Sequence, residues 1–223
     1  MARSPVQHGD RDVSSRSTYW RGRAALATGA TGFVGAHLVA SLLASGAEIS
    51  VLLRDHDRRS ELFRSGNIGR VAVIEGELES LADVERAIAE SGASVVFHLG
   101  AQTLVGVGLN APLLTFESNV RGTYNVLEAC RRQSRTVERV IVASSDKAYG
   151  QSDHPYTEED PLRASSPYDV SKAAGDLIAQ SYHATYGLRV GIVRCGNIYG
   201  GGDLNWSRIV PGTIRLQFRS PPP

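Results

Sequence analysis

The sequence predicts an α/β protein of the Rossmann type, a doubly wound parallel sheet with helices on both faces. Short, nearly continuous apolar segments alternate with helical ones along most of the chain, and strands that are buried on both faces have this composition. A glycine-rich turn directly follows the first apolar segment, as in open sheets that bind a nucleotide at the carboxyl ends of their strands. A chain of 223 residues is long enough to bury one substantial core.

The first strand, predicted over 23–28, stops at this glycine turn, and Gly46 ends the helix that follows. The apolar residues of that helix recur at helical spacing. Their predicted common face contains Phe33, Val34, Leu38, Leu42 and Leu43.

Five further apolar segments predict the rest of the sheet, with helices between them. Ser80 with Asp83, and Ser166 with Pro167 in the first turn, indicate where two of these helices begin. The predicted strands are 48–53, 70–76, 94–100, 137–145 and 188–197, and the predicted helices are 80–92, 113–132 and 166–187.

Residues 1–19 lack hydrophobic periodicity and are rich in Ser, Arg and Asp, so we expect a disordered leader. Residues 20–200 are the predicted NAD(P)-binding Rossmann domain. Residues 201–223 follow this domain and end in three prolines that cannot continue a helix or a central strand.

Composition excludes several classes of partner. The formal net charge is +1, and no basic patch is interleaved with aromatic residues, so no nucleic-acid partner is predicted. No apolar run approaches the roughly 20 residues that span a bilayer, and the N-terminus is too polar for a secretory signal. Cys130 and Cys195 do not make a disulfide framework and are expected to be small core residues. These features predict a cytoplasmic protein with no membrane partner and no metal site.

The segment TGATGFVG contains Gly29, Gly32 and Gly35 between the first strand and the first helix. Glycines at this spacing let the backbone turn tightly and approach a pyrophosphate, which binds at the helix N-terminus. The segment therefore predicts a dinucleotide site, and its members Thr31, Phe33 and Val34 are predicted to contact the cofactor.

The tip of the second strand bears on the choice between NAD and NADP. The acid that would bind the adenosine ribose of NAD is displaced or absent, because Leu53 is followed by Arg54 and Asp55. Arg54 can accept a 2′-phosphate, which slightly favours NADP; the alternative is a solvated basic loop. Further predicted cofactor contacts are Glu77 and Leu78 at the adenine and Leu99, Gly100, Ala101 and Gln102 along the pyrophosphate and ribose. His98, in an apolar strand, is expected to be a core histidine.

Tyr168 and Lys172 are four residues apart in a predicted helix, so their side chains share a face. A neighbouring ammonium should lower the pKa of the tyrosine and let it take a proton from a substrate hydroxyl. Ser145, at the end of the fifth strand, can hold the same substrate oxygen, and Lys172 can also hold the nicotinamide ribose. The alternative is that this spacing arises by chance.

Several segments together resemble the extended short-chain dehydrogenases/reductases, in the NAD-dependent epimerase/dehydratase family of nucleotide-sugar enzymes. Within this family, the triplet Ser145-Asp146-Lys147 is most similar to the CDP-glucose 4,6-dehydratases. The matching segments, spread over residues 20–212, are TGATGFVG, HLGAQ, ESNVRGTYNVLEA, SSDKAYG, SPYDVSKAAGD and RCGNIYGGGD.

The resemblance implies a nucleotide-sugar substrate and NAD as the tightly bound cofactor. It also implies that residues 201–223 are the start of a substrate-binding region and that the C-terminal substrate domain is largely absent from this chain. Tyr168, with Ser145 and Lys172, would remove hydride from carbon 4 of the hexose. Protonated Asp146 would then support loss of the carbon-6 hydroxyl before hydride returns to carbon 6. Asn119 is implied to support the cofactor site, and Asn197 to contact the nicotinamide region or the substrate. The resemblance also implies a homodimer that pairs the helices at 113–132 and 166–186 in a four-helix bundle.

Alternatives remain at two levels. The same scaffold serves nucleotide-sugar 4-epimerases and reductases, and a third possibility is a dinucleotide-binding remnant without catalysis. Lys147 is one of only two lysines in the chain, and it is either the base that takes the carbon-5 proton or a cation that fixes Asp146 or a substrate oxygen.

Overall fold

A computed structural model describes residues 18–219 of the chain. Its centre is a parallel six-stranded sheet in the order β3-β2-β1-β4-β5-β6. The order reverses between β1 and β4, which opens a crevice at the carboxyl ends of the strands. The strands are β1 (Ala24–Thr28), β2 (Glu48–Leu53), β3 (Ala72–Glu75), β4 (Val95–His98), β5 (Arg139–Ser145) and β6 (Val190–Cys195).

Helices cover both faces of this sheet, which confirms the predicted fold class. Side chains of successive strand residues point to opposite faces, so Leu26 joins one apolar core while Ala25 and Ala27 join the other. The helices are α1 (Phe33–Ala44), α2 (Glu61–Arg64), α3 (Leu81–Ser91), α4 (Val105–Asn110), α5 (Pro112–Phe116), α6 (Gly122–Arg132), α7 (Pro167–Tyr186) and α8 (Ile209–Arg219). Shorter turns are 3₁₀ at Asn67–Arg70 and Asp146–Tyr149 and π at Glu117–Arg121.

The predicted helix at 113–132 is interrupted. Pro112 begins α5, where its missing N–H costs no helical hydrogen bond, and the π turn at Glu117–Arg121 separates α5 from α6. The predicted strand at 94–100 is also shorter, because β4 ends at His98. The residues after His98 therefore form a loop at the edge of the crevice.

The face of α1 that packs on the sheet differs from the prediction. Gly35, Ala36 and Val39 are buried there with Leu42, whereas Val34 is exposed. Small residues let the helix lie close to the sheet, so the larger residues of its first turn are left to face the crevice.

Both predicted helix caps are present. The Ser80 hydroxyl accepts a hydrogen bond from the backbone N–H of Asp83, and the Ser166 hydroxyl accepts one from the backbone N–H of Asp169, each at 3.3 Å. Each bond satisfies one of the backbone donors that a helix leaves free in its first turn.

The predicted leader lies outside the described residues, except that residues 18 and 19 belong to a helical turn with Trp20. The three terminal prolines also lie outside them. Between residues 18 and 219, no helix combines the length and the apolar character needed to cross a bilayer.

Candidate active site

A cavity of about 1240 Å³ opens at the carboxyl ends of the strands. It brings together all the predicted site residues except Glu77 and Asn119, which do not line it. The predicted residues that line it are Gly29, Thr31, Gly32, Phe33, Val34, Gly35, Arg54, Leu78, Leu99, Gly100, Ala101, Gln102, Ser145, Asp146, Lys147, Tyr168, Lys172 and Asn197.

The glycine loop requires glycine on steric grounds. Gly29 has a φ of +70°, and a Cβ there would lie 2.6 Å from the backbone N of Gly100. A Cβ at Gly35 would collide with the Gly29 carbonyl, so α1 starts in close contact with the loop. The backbone thus forms an open cradle at the start of α1, which fits the pyrophosphate of a dinucleotide.

His98 supports the second wall of this cradle from within the core. Its ring nitrogens lie 2.9 Å from the Thr28 hydroxyl and 3.0 Å from the Thr123 hydroxyl, and the Thr28 oxygen accepts the N–H of Gly100 at 3.1 Å. Burial lowers the pKa of His98 to about 3, with a smaller effect from the Lys172 charge. The imidazole is therefore neutral at physiological pH, and the prediction of a core histidine is confirmed.

Asn119 does not line the cavity but supports its wall through hydrogen bonds. Its amide accepts the backbone N–H of Gln102 at 2.7 Å and donates to the Gln102 carbonyl at 2.9 Å. It also donates to the Ser171 hydroxyl at 2.9 Å. This buried side chain therefore fixes the loop after β4 to the helix that contains Tyr168.

At the tip of β2, the Arg54 guanidinium is paired with the adjacent Asp55 carboxylate at 2.7 Å, and both side chains are largely exposed. The 2′-phosphate contact of Arg54 stays a prediction.

Glu77 is not part of the cavity lining, and its backbone N–H donates to the Asp83 carboxylate at 3.2 Å. Gly76, Leu78 and Glu79 line the cavity at this point.

The tyrosine and lysine of α7 are both desolvated, and this overturns one prediction. Burial raises the pKa of Tyr168, and the nearby Ser145 side chain partly opposes that effect. The predicted lowering of the Tyr168 pKa by Lys172 is wrong in this structure, because the Lys172 ammonium instead donates to the Ala143 carbonyl at 3.0 Å. Burial lowers the pKa of Lys172 to about 8.

Ser145, Asp146 and Lys147 form a compact turn at the end of β5. The Ser145 hydroxyl donates to Asp146 Oδ1 at 3.1 Å and accepts the backbone N–H of Lys147 at 3.2 Å. Lys147 Nζ lies 3.8 Å from Asp146 Oδ2, and 49% of the Lys147 side chain is exposed. The triplet thus places an acid and a cation beside the Ser145 hydroxyl, which lines the cavity with Tyr168.

The two cysteines lie in different environments. Cys130 is a buried core residue, as predicted, and burial raises the pKa of its thiol. The prediction for Cys195 is wrong, because Cys195 is only half-buried and lines the cavity. The reason is its position as the last residue of β6, where the edge strand reaches the crevice.

The loop after β6 supplies cavity residues to which the sequence analysis gave no role. Asp203 is buried and paired with Arg208 at 3.2 Å, and both line the cavity with Tyr199. The segment GNIYGGGD pointed to this loop, but an isolated aspartate in a glycine-rich loop does not reveal its ion pair.

The reversal of strand order, the glycine cradle at the start of α1 and the cavity between them define a Rossmann-type dinucleotide-binding protein. The chain belongs to the NAD dependent epimerase/dehydratase family, whose model matches residues 25–217. This family is the one that the motifs of the sequence resemble.

Two curated relatives illustrate the similarity. The chain is 35% identical over 198 residues to a dTDP-glucose 4,6-dehydratase from Streptomyces griseus, a match that covers 86% of this chain and 58% of the relative. It is 30% identical over 211 residues to a CDP-glucose 4,6-dehydratase from Salmonella typhimurium, which covers 88% of this chain and 58% of the relative. The chain therefore spans a little under three fifths of the length of each relative.

Solved structures show the same fold with NAD bound. The dTDP-glucose 4,6-dehydratase DesIV from Streptomyces venezuelae aligns with a TM-score of 0.77 at 31% identity, over 87% of this chain and 62% of that chain. The UDP-glucose 4-epimerase from Thermus thermophilus aligns with a TM-score of 0.73 at 35% identity, over 86% of this chain and 60% of that chain. The similarity thus includes both dehydratases and epimerases.

Proposed function

We propose that this protein is a nucleotide-sugar 4,6-dehydratase with a CDP-glucose-like substrate. The observation that carries the proposal is the placement of Asp146 and Lys147 on the cavity wall beside Ser145. An epimerase needs a proton carrier and a hydride acceptor, whereas a dehydratase also needs an acid for the departing hydroxyl. Asp146 is positioned to be that acid.

The proposed cofactor is NAD, held with its pyrophosphate on the glycine cradle. NAD is present in both aligned structures described above, and the Arg54 guanidinium is already paired with Asp55. When bound, NAD would supply a reversible hydride acceptor for carbon 4 and a hydride donor for carbon 6.

Tyr168 is the proposed base for the carbon-4 hydroxyl. Tyr168 must give up its own proton before it can take that of the carbon-4 hydroxyl. Because burial raises its pKa, the phenolate is a strong proton acceptor once it has formed. The Ser145 hydroxyl, which lines the cavity with Tyr168, holds the same oxygen. Lys172 has a pKa lowered to about 8, so it can donate or accept a proton near neutral pH when Tyr168 changes charge.

Elimination follows from the ketone at carbon 4, which acidifies the proton on carbon 5. That proton leaves to a base, the carbon-5 electron pair forms the double bond, and the carbon-6 hydroxyl leaves as water with a proton from Asp146. The acid role of Asp146 and the base role of Lys147 both require that Asp146 carries the proton of the pair and that Lys147 is a neutral amine when elimination begins.

The second candidate function is a nucleotide-sugar 4-epimerase. The observation that favours it is the 35% identity with an epimerase solved with NAD. Its chemistry would use Ser145, Tyr168 and Lys172 in the same way, and Asp146 would then have no proton to donate.

Incubation of the protein with CDP-glucose or dTDP-glucose and catalytic NAD tests the proposal. The expected product is a 4-keto-6-deoxy sugar lighter by one water, without net accumulation of reduced cofactor. A carbon-4 epimer as the sole product would overturn it in favour of the epimerase. Binding of NAD without turnover of either nucleotide sugar would instead support a dinucleotide-binding protein without catalysis.

We also propose a homodimer that pairs the α6–α7 faces of two chains. Large apolar side chains are exposed on both helices, among them Tyr124 of α6 at 38% and Leu177 of α7 at 55%, and Leu113 of the preceding α5 is 72% exposed. Exposed apolar patches of this kind are typical of interfaces between subunits.

A further inference from the structure

The loop at residues 196–203 is attached to α1, although the two segments are far apart in the sequence. His37, on the second turn of α1, lies with its Nε2 2.9 Å from the carbonyl oxygen of Gly201. A carbonyl oxygen only accepts, so Nε2 carries the proton in this contact and donates it.

A second contact reinforces the first. The ring of Phe33 lies edge to face with the His37 ring, with a centroid distance of 5.1 Å and an interplanar angle of 88°. Gly200 lies against the same phenyl ring, because a Cβ added at Gly200 would be 3.3 Å from Phe33 Cζ. The loop can approach the phenyl ring this closely because position 200 has no side chain.

The attached loop is a wall of the cavity. Asn197, Ile198 and Tyr199 line the cavity from the loop, and Phe33 lines it from the start of α1. Beyond the attachment point, Asp203 is buried and paired with Arg208 at 3.2 Å. The loop is thus held at β6, at His37 and at Asp203, and it bounds the cavity beside the glycine cradle.

We propose that His37 is a positioning residue that holds the 196–203 loop over the glycine cradle and thereby slows the release of a bound dinucleotide. The inference rests on the proposed binding of NAD. A dinucleotide whose pyrophosphate lies on the cradle would leave past the Phe33 ring and the loop, so the loop must detach from α1 before release. The hydrogen bond and the ring contact stabilise the attached state.

Two matched variants separate the two contacts. His37→Phe keeps an aromatic ring against Phe33 and removes the donor, whereas His37→Gln keeps an amide donor and removes the ring. One exposed hydrogen bond of ordinary strength corresponds to roughly a two- to tenfold change. We therefore expect His37→Phe to raise the NAD dissociation rate constant by that factor, and His37→Gln to raise it less.

The measurements are stopped-flow displacement of NAD from the protein and hydrogen exchange of the loop amides. Faster release from His37→Phe, together with faster amide exchange at residues 198–203, is the expected result. Unchanged release and unchanged loop exchange in that variant would overturn the inference. If the unsubstituted protein does not bind NAD, the proposed function fails, and slower or equal loop exchange in His37→Phe would then overturn the attachment role as well.

Discussion

Asn119 holds the backbone of Gln102 with both ends of its amide, at 2.7 Å for the acceptor and 2.9 Å for the donor. The pairing copies the two hydrogen bonds that a neighbouring strand would make, although β4 has already ended at His98. Because Asn119 lies in the π turn between α5 and α6, the irregular helix and the cavity loop are fixed to each other. Irregular turns of this kind are frequent at functional sites.

Asn119→Leu should therefore damage both stability and the cavity. The substitution leaves the N–H and carbonyl of Gln102 without partners in a part-buried position, and each lost partner costs about 1–3 kcal/mol. We expect the free energy of unfolding to fall by roughly 3 kcal/mol, measured by urea denaturation. Gln151→Ala, at an exposed loop position, is the control and should change it little. Equal stability of Asn119→Leu and the unsubstituted protein would contradict this role.

The buried His98 makes the free energy of unfolding depend on pH. The folded-state pKa is about 3 and the unfolded value is 6.5, so between these values the unfolded chain binds a proton that the folded protein does not. Stability therefore falls as pH falls through this window, by up to about 1.4 kcal/mol per pH unit. Urea unfolding of the protein and of His98→Gln, from about pH 7 to about pH 4.5, should show the steeper loss in the unsubstituted protein. Parallel slopes would argue that His98 is not buried as a neutral ring.

The sheet and the cavity could be predicted because periodic patterns in the sequence indicate them. The β2 segment is apolar from Ile49 to Leu53 apart from Ser50, and the glycine spacing after β1 has a steric cause that applies to any sequence with this turn. The face of α1 could not be predicted by hydrophobicity alone, since Ala36 packs on the sheet while Val34 lines the cavity. A pattern of apolar residues does not show which side permits the closest approach.

Side-chain electrostatics were harder to predict, because they depend on contacts between distant residues. The spacing of Tyr168 and Lys172 places both on one face of α7, but the lysine ammonium bonds to Ala143, a residue of β5. No pattern in the local sequence predicts this hydrogen bond, because its acceptor is a backbone carbonyl of a distant strand. The pairing of Asn119 with the Gln102 backbone is equally invisible, because a backbone partner has no sequence signal.

The proposed dimer predicts a simple change of assembly. Leu177→Asp places a charge at the centre of the exposed apolar face of α7, where a second chain would exclude water. We expect sedimentation velocity to show a dimer for the unsubstituted protein and a monomer for the variant. Leu216→Asp is the matched control, since Leu216 is 66% exposed but lies on α8. A dimer that survives Leu177→Asp, or dissociates equally with Leu216→Asp, would contradict the α6–α7 interface.

Asp146→Asn should separate oxidation from elimination. The amide keeps the shape of the side chain but cannot donate the proton of a carboxylic acid, so oxidation at carbon 4 continues while loss of water slows by about 10²- to 10⁴-fold. Reduced cofactor should then accumulate on the protein after CDP-glucose is added, as seen by its absorbance. An epimerase would show little change with the same substitution.

Lys147→Arg decides between the two roles of the lysine. Arginine keeps a positive charge next to Asp146, at a site where the Lys147 Nζ is 3.8 Å from the carboxylate and half of the side chain is exposed, but it does not lose its proton in proteins. If Lys147 is only a cation that fixes Asp146, Lys147→Arg should retain most of the elimination rate and Lys147→Met should not. If Lys147 takes the carbon-5 proton, the elimination rate of both variants should fall by a similar factor, about 10²-fold or more. Isotope exchange at carbon 5 in deuterium oxide gives an independent measurement, because it requires proton removal but not loss of water.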